Sequence, residues 1–297
     1  MPCWAYTSRS STFRPDGPTP DVPDGPPLSF ALASLDKHME QVCKLCKVGT
    51  DIKKSHAIAD SVFKKIFRVN SGKAITFSND EEDISYSNDS WWEYQLCGDC
   101  ETHLNQSYEK YSLQVLRAQT GNFCKSEYGL TFSDVDLHKF NMFFLSIFWR
   151  AANSGHSAYK NVVMLDQDNE FLRDALLHNR KVPISRLSVK VERLIDKTLE
   201  GGFTPESLKE LIISPFCRIH ETHKTNHVSV CFIFEGFFIQ IFMPGLKLKN
   251  RVKSGVINEP KRILSIPYLD LFNIKEIEQL MVEGYSKHIN GQSRIKS

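Results

Sequence analysis

Four cysteines carry the most chemistry-bearing pattern in this chain. Cys43-Lys-Leu-Cys46 and Cys97-Gly-Asp-Cys100 are two Cys-x-x-Cys pairs separated by 50 residues. A pair at this spacing can point both sulfurs at one ion while backbone amides bond back to them. Four thiolates are the donor set of a tetrahedral Zn²⁺ site. The competing reading is four unrelated buried cysteines, because a free cysteine packs as a small hydrophobe. We read Cys43, Cys46, Cys97 and Cys100 as ligands of one structural Zn²⁺.

Other candidate groups gather around these pairs. His56 stands in Ser55-His56-Ala57-Ile58, and Glu101 and His103 follow the second pair directly. Lys53, Lys54, Lys64, Lys65 and Arg68 form a basic edge able to hold phosphates, with Trp91 or Trp92 beside it for stacking. The bland alternative is a solvated charged face with at least one tryptophan packed against the cysteine unit. His220, His223 and His227 also cluster, and read more simply as a hairpin loop than as a second metal site.

The elements that would position these residues follow from pattern. Residues 1–28 are crowded with Pro, Gly and Asp and read as a disordered tail, followed by a short helix up to Gln41. Val62-Phe63 and Ile66-Phe67 have helical spacing, residues 70–90 read as a polar loop, and Trp91–Leu96 reads as a strand. Leu104, Tyr108, Tyr111 and Val115 place a helix directly after Cys100, with Asp99 and Glu101 at its start, where exposed amides favour negative charge. A linker is expected over 121–131, then a strong helix over 134–152 capped by Ser133. Helices are expected over 162–177 and 187–199, and another begins at Thr204-Pro205. Beyond Ser214 the chain turns to β, with Val228–Phe234 and Phe238–Met243 joined tightly at Glu235-Gly236, and a closing helix over 269–285. The fold class expected is α+β: a zinc module over 29–120, a helical region over 121–210, and an antiparallel β-meander with a final helix over 211–297.

Cys-x-x-Cys, then Ser-His-x-Ile on a strand, then Leu96-Cys97-x-x-Cys100-Glu101 opening a helix resembles the treble-clef module of HNH nucleases. More specifically, the combination is similar to a family of largely uncharacterised bacterial proteins with the same signature and a helical segment like Phe144-Leu-Ser-Ile-Phe-Trp-Arg-Ala-Ala152. The resemblance covers about residues 40–180. It implies a groove in which His56 activates water for attack on a phosphodiester. Glu101 or His103 would help hold a divalent ion, Mg²⁺ or Mn²⁺, at the leaving oxygen. It also implies nucleic acid as partner and a role in bacterial defence. The chain departs from the pattern at Ser55, where an acidic or histidine ligand commonly stands, and at Ala59, which replaces a proline. The middle asparagine is missing. Two roles for His56 therefore remain open, general base or structural brace. Arg150-x₅-His156 has a spacing seen in HEPN ribonucleases, although such spacing is common by chance.

Composition narrows the partners. With 41% hydrophobic and 24% charged residues and a net charge of +2, the chain is an ordinary globular sequence, and any nucleic-acid surface must come from local clustering. No apolar run reaches the length of a membrane span, and the eight cysteines without a secretory leader point to a reducing, cytoplasmic setting. The alternative function is a non-catalytic zinc module that serves a partner protein.

Overall fold

The computed structural model describes residues 41–77, 82–220, 227–259 and 261–295. The Pro-rich segment 1–28, the short helix expected before Gln41, and His223 lie outside these residues. The described chain from Val42 onward forms one unit.

Alternating hydrophobics build a seven-stranded sheet. In chain order its strands are β5 (Asn122–Lys125), β6 (Gly129–Ser133), β7 (Ser188–Ile195), β8 (Ile213–His220), β9 (His227–Phe234), β10 (Phe237–Met243) and β11 (Ile263–Asp270). Their spatial order is β5-β6-β11-β7-β10-β9-β8. Side chains alternate across a strand, so each strand feeds two cores. Val230, Phe232, Phe234, Phe237, Ile239 and Ile241 enter the larger core. Cys231, Ile233 and Phe238 point the other way, to a smaller core closed by Leu208, Leu271, Ile274 and Ile277. Glu235 and Gly236 both have positive φ, 51° and 73°, as a two-residue hairpin turn requires.

The larger core is organised by helix α4 (Leu137–Ala152), in which every residue from Phe140 to Ala151 is buried. A helix apolar on all sides belongs in an interior rather than at a surface. It packs between the sheet and the cysteine-bearing segment. That segment comprises β1 (Ile52–His56), α1 (Asp60–Val69), the small hairpin β2 (Ala74–Thr76) and β3 (Ser85–Ser87), and β4 (Trp92–Cys97). A continuous helical run follows: α2 (Gly98–Leu104), a π-helical turn (Asn105–Glu109) and α3 (Lys110–Leu116). β1 and β4 pair antiparallel. The remaining α-helices among the described residues are α5 (Asp166–Leu177), α6 (Pro205–Lys209) and α7 (Lys275–Ile289).

Several expectations are corrected. The segment 187–199 is not a helix but the central strand β7, because Val189 and Val191 follow a two-residue period and are buried, outweighing the helix-favouring Lys190, Glu192 and Arg193 beside them. The linker at 121–131 is the β5–β6 hairpin. The sheet is mixed rather than an antiparallel meander, since β11 runs parallel to β7. The closing helix begins at Lys275, as 263–270 is strand β11. Ser133 ends β6, and Asp134 adopts a positive φ of 56° that no helix continues through. Asp136 instead caps α4, its side chain accepting from the Lys139 amide at 3.0 Å.

This last correction is checked by denaturant titration. Asp136→Ala is expected to cost about 1 kcal/mol of stability, as lost caps do, and Ser133→Ala much less.

Candidate metal centre and the adjoining charge cluster

The two cysteine pairs come from a turn before β1 and from the β4–α2 junction. The first turn is closed by hydrogen bonds from Cys43 N to Gly49 O at 2.7 Å and from Lys47 N to Cys43 O at 2.9 Å. The Lys44 amide ties the turn to Gln95 O on β4 at 3.0 Å. All four sulfurs lie within 4.8 Å of one another, with Cys46 Sγ and Cys97 Sγ at 3.8 Å. A tetrahedron with Zn–S bonds of about 2.3 Å has an edge of about 3.8 Å, so the donor set fits that ion. Burial pushes the Cys46 thiol up, but the Gly49 and Val48 amides and neighbouring thiols outweigh it and bring it down to about 7. Burial raises the Cys97 thiol and pushes the Cys100 thiol well above the usual thiol range. A divalent cation would reverse that preference, because a coordinating thiol is deprotonated outright. Gly49 is part of the fit: a Cβ there would stand 2.7 Å from both Cβ and Sγ of Cys97.

The first cysteine turn is anchored to the helices behind it. Arg173 of α5 donates to Leu45 O at 2.8 Å, and Lys44 Nζ donates to Asn153 O, at the C-terminal end of α4, at 2.5 Å.

His56 lies on β1 as expected, half-buried, with Nε2 3.0 Å from Ser90 Oγ and 3.7 Å from Asp60 Oδ1. Burial lowers its pKa below the usual histidine value, with Asp60 pulling the other way. Glu101 accepts a bond from Ser55 Oγ at 3.3 Å, so Ser55 and Glu101 do meet. Glu101 also faces Arg150 of α4, only 2% exposed, which stands 3.9 Å from Glu101 Oε1 and bonds Glu109 Oε2 at 3.1 Å. Burial still pushes the Glu101 carboxyl up, against the pull of Arg150. His103 is not brought to this cluster. Its Nε2 bonds Leu176 O at 3.0 Å and its ring packs against Tyr108.

The π turn explains how one helix supplies both carboxylates. On a regular α-helix, residues eight apart lie about 80° out of phase. The wider turn at Asn105–Glu109 restores the phase, so Glu101 and Glu109 both face Arg150. The sequence singled out Arg150 by its distance from His156 and by its place in the segment Phe144–Ala152. His156 bonds Asp89 at 3.0 Å instead, and the pairing of Arg150 with Glu101 and Glu109 had no local signal.

The basic edge divides. Lys53 pairs with Asp51, and Lys54 covers the Trp92 ring at 4.1 Å. Trp91 packs inward between Phe63 and Tyr159. Lys64, paired with Asp60 at 2.5 Å, Lys65, paired with Glu235 at 3.2 Å, and Arg68 of α1 line a cleft of about 1130 Å³ between α1, the end of α3 and the β9–β10 turn. Comparison with family models, curated proteins and solved structures finds no match to this chain, so the resemblance rests on the quoted residues alone.

Elemental analysis is expected to find about one zinc per chain. Cys43→Ser or Cys97→Ser should lose both the metal and cooperative folding, since binding and folding are one equilibrium at such sites. Gly49→Ala should weaken zinc retention against a chelator, and a metal-free protein that stays well folded would overturn the assignment. Separately, Arg150→Ala should destabilise by about 3–5 kcal/mol in a denaturant titration, because it strands two partly buried carboxylates. Adding Glu101→Gln and Glu109→Gln should recover part of that loss.

Proposed function

We propose that this chain is a zinc-stabilised nucleic-acid-binding protein, built on a treble-clef-like module, that lacks a phosphodiesterase step of its own. The observation that carries the reading is the α1 edge, where Lys64, Lys65 and Arg68 line a large cleft with seven basic and four acidic side chains. Clustered cations at a concave surface hold phosphates through release of counterions, and net charge is no guide to that.

The absence of a cleavage step is inferred from the partners of the candidate groups. Glu101 already faces a buried guanidinium, which stands where a metal-binding carboxylate would need a divalent ion. His103 is committed to a backbone carbonyl on another face of its helix. His56 has serine and aspartate neighbours suited to bracing β1 against the start of α1.

A second reading, a protein-interaction module, is favoured by one feature. Val282, Tyr285 and Ile289 form an exposed apolar stripe on α7.

Fluorescence anisotropy with labelled single- and double-stranded oligonucleotides tests the first reading. Binding should weaken steeply with salt and with Lys64→Glu/Lys65→Glu together; affinity unmoved by either would favour the α7 reading. Incubation with Mg²⁺ or Mn²⁺ should leave the strands intact, and robust cleavage abolished by His56→Ala would overturn the non-catalytic part. A structural His56 also has a pH signature. Its folded pKa is depressed, so the stability it contributes is present above about pH 6.5 and lost as pH falls towards the folded value. His56→Gln should make that acid-side loss shallower.

A further inference from the structure

The floor of the same cleft holds a second set of residues, which the α1 edge does not require. Phe237, Arg193 and Tyr268 lie side by side on β10, β7 and β11, at paired register positions. Arg193 is 8% exposed, and its guanidinium stacks on the Phe237 ring at 4.8 Å. Nη1 donates to the Glu235 carbonyl at 2.8 Å, the one hydrogen bond this guanidinium makes among the described residues. The Glu235 carboxylate does not serve it. That group is taken by Arg117, at 2.6 and 3.0 Å, and by Lys65 at 3.2 Å. Arg193 is thus a buried cation with spare donors and no ion pair among the described residues. Gly236 leaves it room, since a Cβ there would stand 2.7 Å from Nη1.

The neighbouring Tyr268 hydroxyl is buried and has no hydrogen-bond partner among the described residues. Leaving a buried donor unpaired costs free energy, so such a group in a native protein calls for a reason, such as a catalytic role or a bound ion. An anion seated against Arg193 would pair both groups. Around it the cleft offers Phe123 and Phe203, 45% and 37% exposed, together with Lys125 and Arg68. Exposed rings beside cations suit a ligand with a planar ring as well as a charge.

We infer that this cleft binds a phosphate monoester carrying a planar ring, a nucleotide either free or at the end of a strand, with the phosphate on Arg193 and Tyr268. The inference goes beyond the strand surface proposed above and rests on Arg193 and Tyr268, which that surface does not require.

The test titrates the zinc-loaded full chain with AMP, with inorganic phosphate as competitor, and with hexathymidylate with and without a 5′-phosphate. AMP should bind saturably and be displaced by phosphate. Tyr268→Phe should weaken it about tenfold while leaving the ligand-free melting temperature unchanged or raised, because the variant removes only an unpaired hydroxyl. Arg193→Gln should weaken it at least as much; should that variant not fold, Tyr268→Phe decides. Preference for the phosphorylated strand over AMP assigns a strand end, and AMP binding with the two strands alike assigns a free nucleotide. Either outcome supports the site. Wild-type binding of neither phosphate monoester, or binding that Tyr268→Phe leaves unchanged, overturns it. The unphosphorylated strand with Lys64→Glu/Lys65→Glu reports on the strand surface alone, so the two readings fail separately.

Discussion

One helix, buried on every side from Phe140 to Ala151, sets the terms for the rest of this molecule. Burying α4 on every side removes a large apolar area from water, which drives folding, but it also buries whatever polar groups the helix carries. Arg150 is the charge among them. Carboxylates offset the cost of burying that guanidinium, and Glu101 and Glu109 supply them from the helix that begins at the second cysteine pair. The docking of the cysteine segment onto α4 is therefore specified by charge as well as by shape. Gln95 of β4, bonded to the Arg150 carbonyl at 3.0 Å, and Lys44, at the end of the same helix, fix it further.

This arrangement bears on what the cysteine segment can do. The four thiols bring β1, β4 and α2 together, and the residues just beyond them on β1 and α2 are those a nuclease of this pattern would use. Here Glu101 turns inward to a buried arginine instead, and Ser55 bonds Glu101 and the Leu96 amide. A carboxylate engaged in that way stabilises the packing of two elements, and removing its partner would cost more than the pair contributes. Lys64, Lys65 and Arg68 lie on the other side of α1, lining the cleft beside the β9–β10 turn.

The sheet contributes there through register. A parallel pair between β7 and β11 sets Tyr268 beside Arg193, while the antiparallel pair between β7 and β10 sets Phe237 on its other side. The tight Glu235-Gly236 turn then delivers a carboxylate, 2% exposed, to Arg117 and Lys65. The cleft floor is thus assembled from three strands and a turn that are far apart in the chain.

Local chemistry was legible in the sequence. Cys-x-x-Cys spacing, Ser55-His56 on a strand, a helix opening at the second pair, the Thr204-Pro205 helix start and the Glu235-Gly236 hairpin all depend on a few adjacent residues, and each is found where spacing places it. What adjacency does not encode was decided by tertiary structure. β7 reads as a helix until its neighbours on both sides supply hydrogen bonds, and β11 was missed because its partners are β6 and β7. Arg150 finds Glu109 across 41 residues, and Arg193 finds Tyr268 only through a strand pairing near the other end of the chain. Turns, caps and ligand pairs are short-range and carry their own residue preferences. Buried charge pairing and parallel register are settled by which surfaces the folded chain presses together.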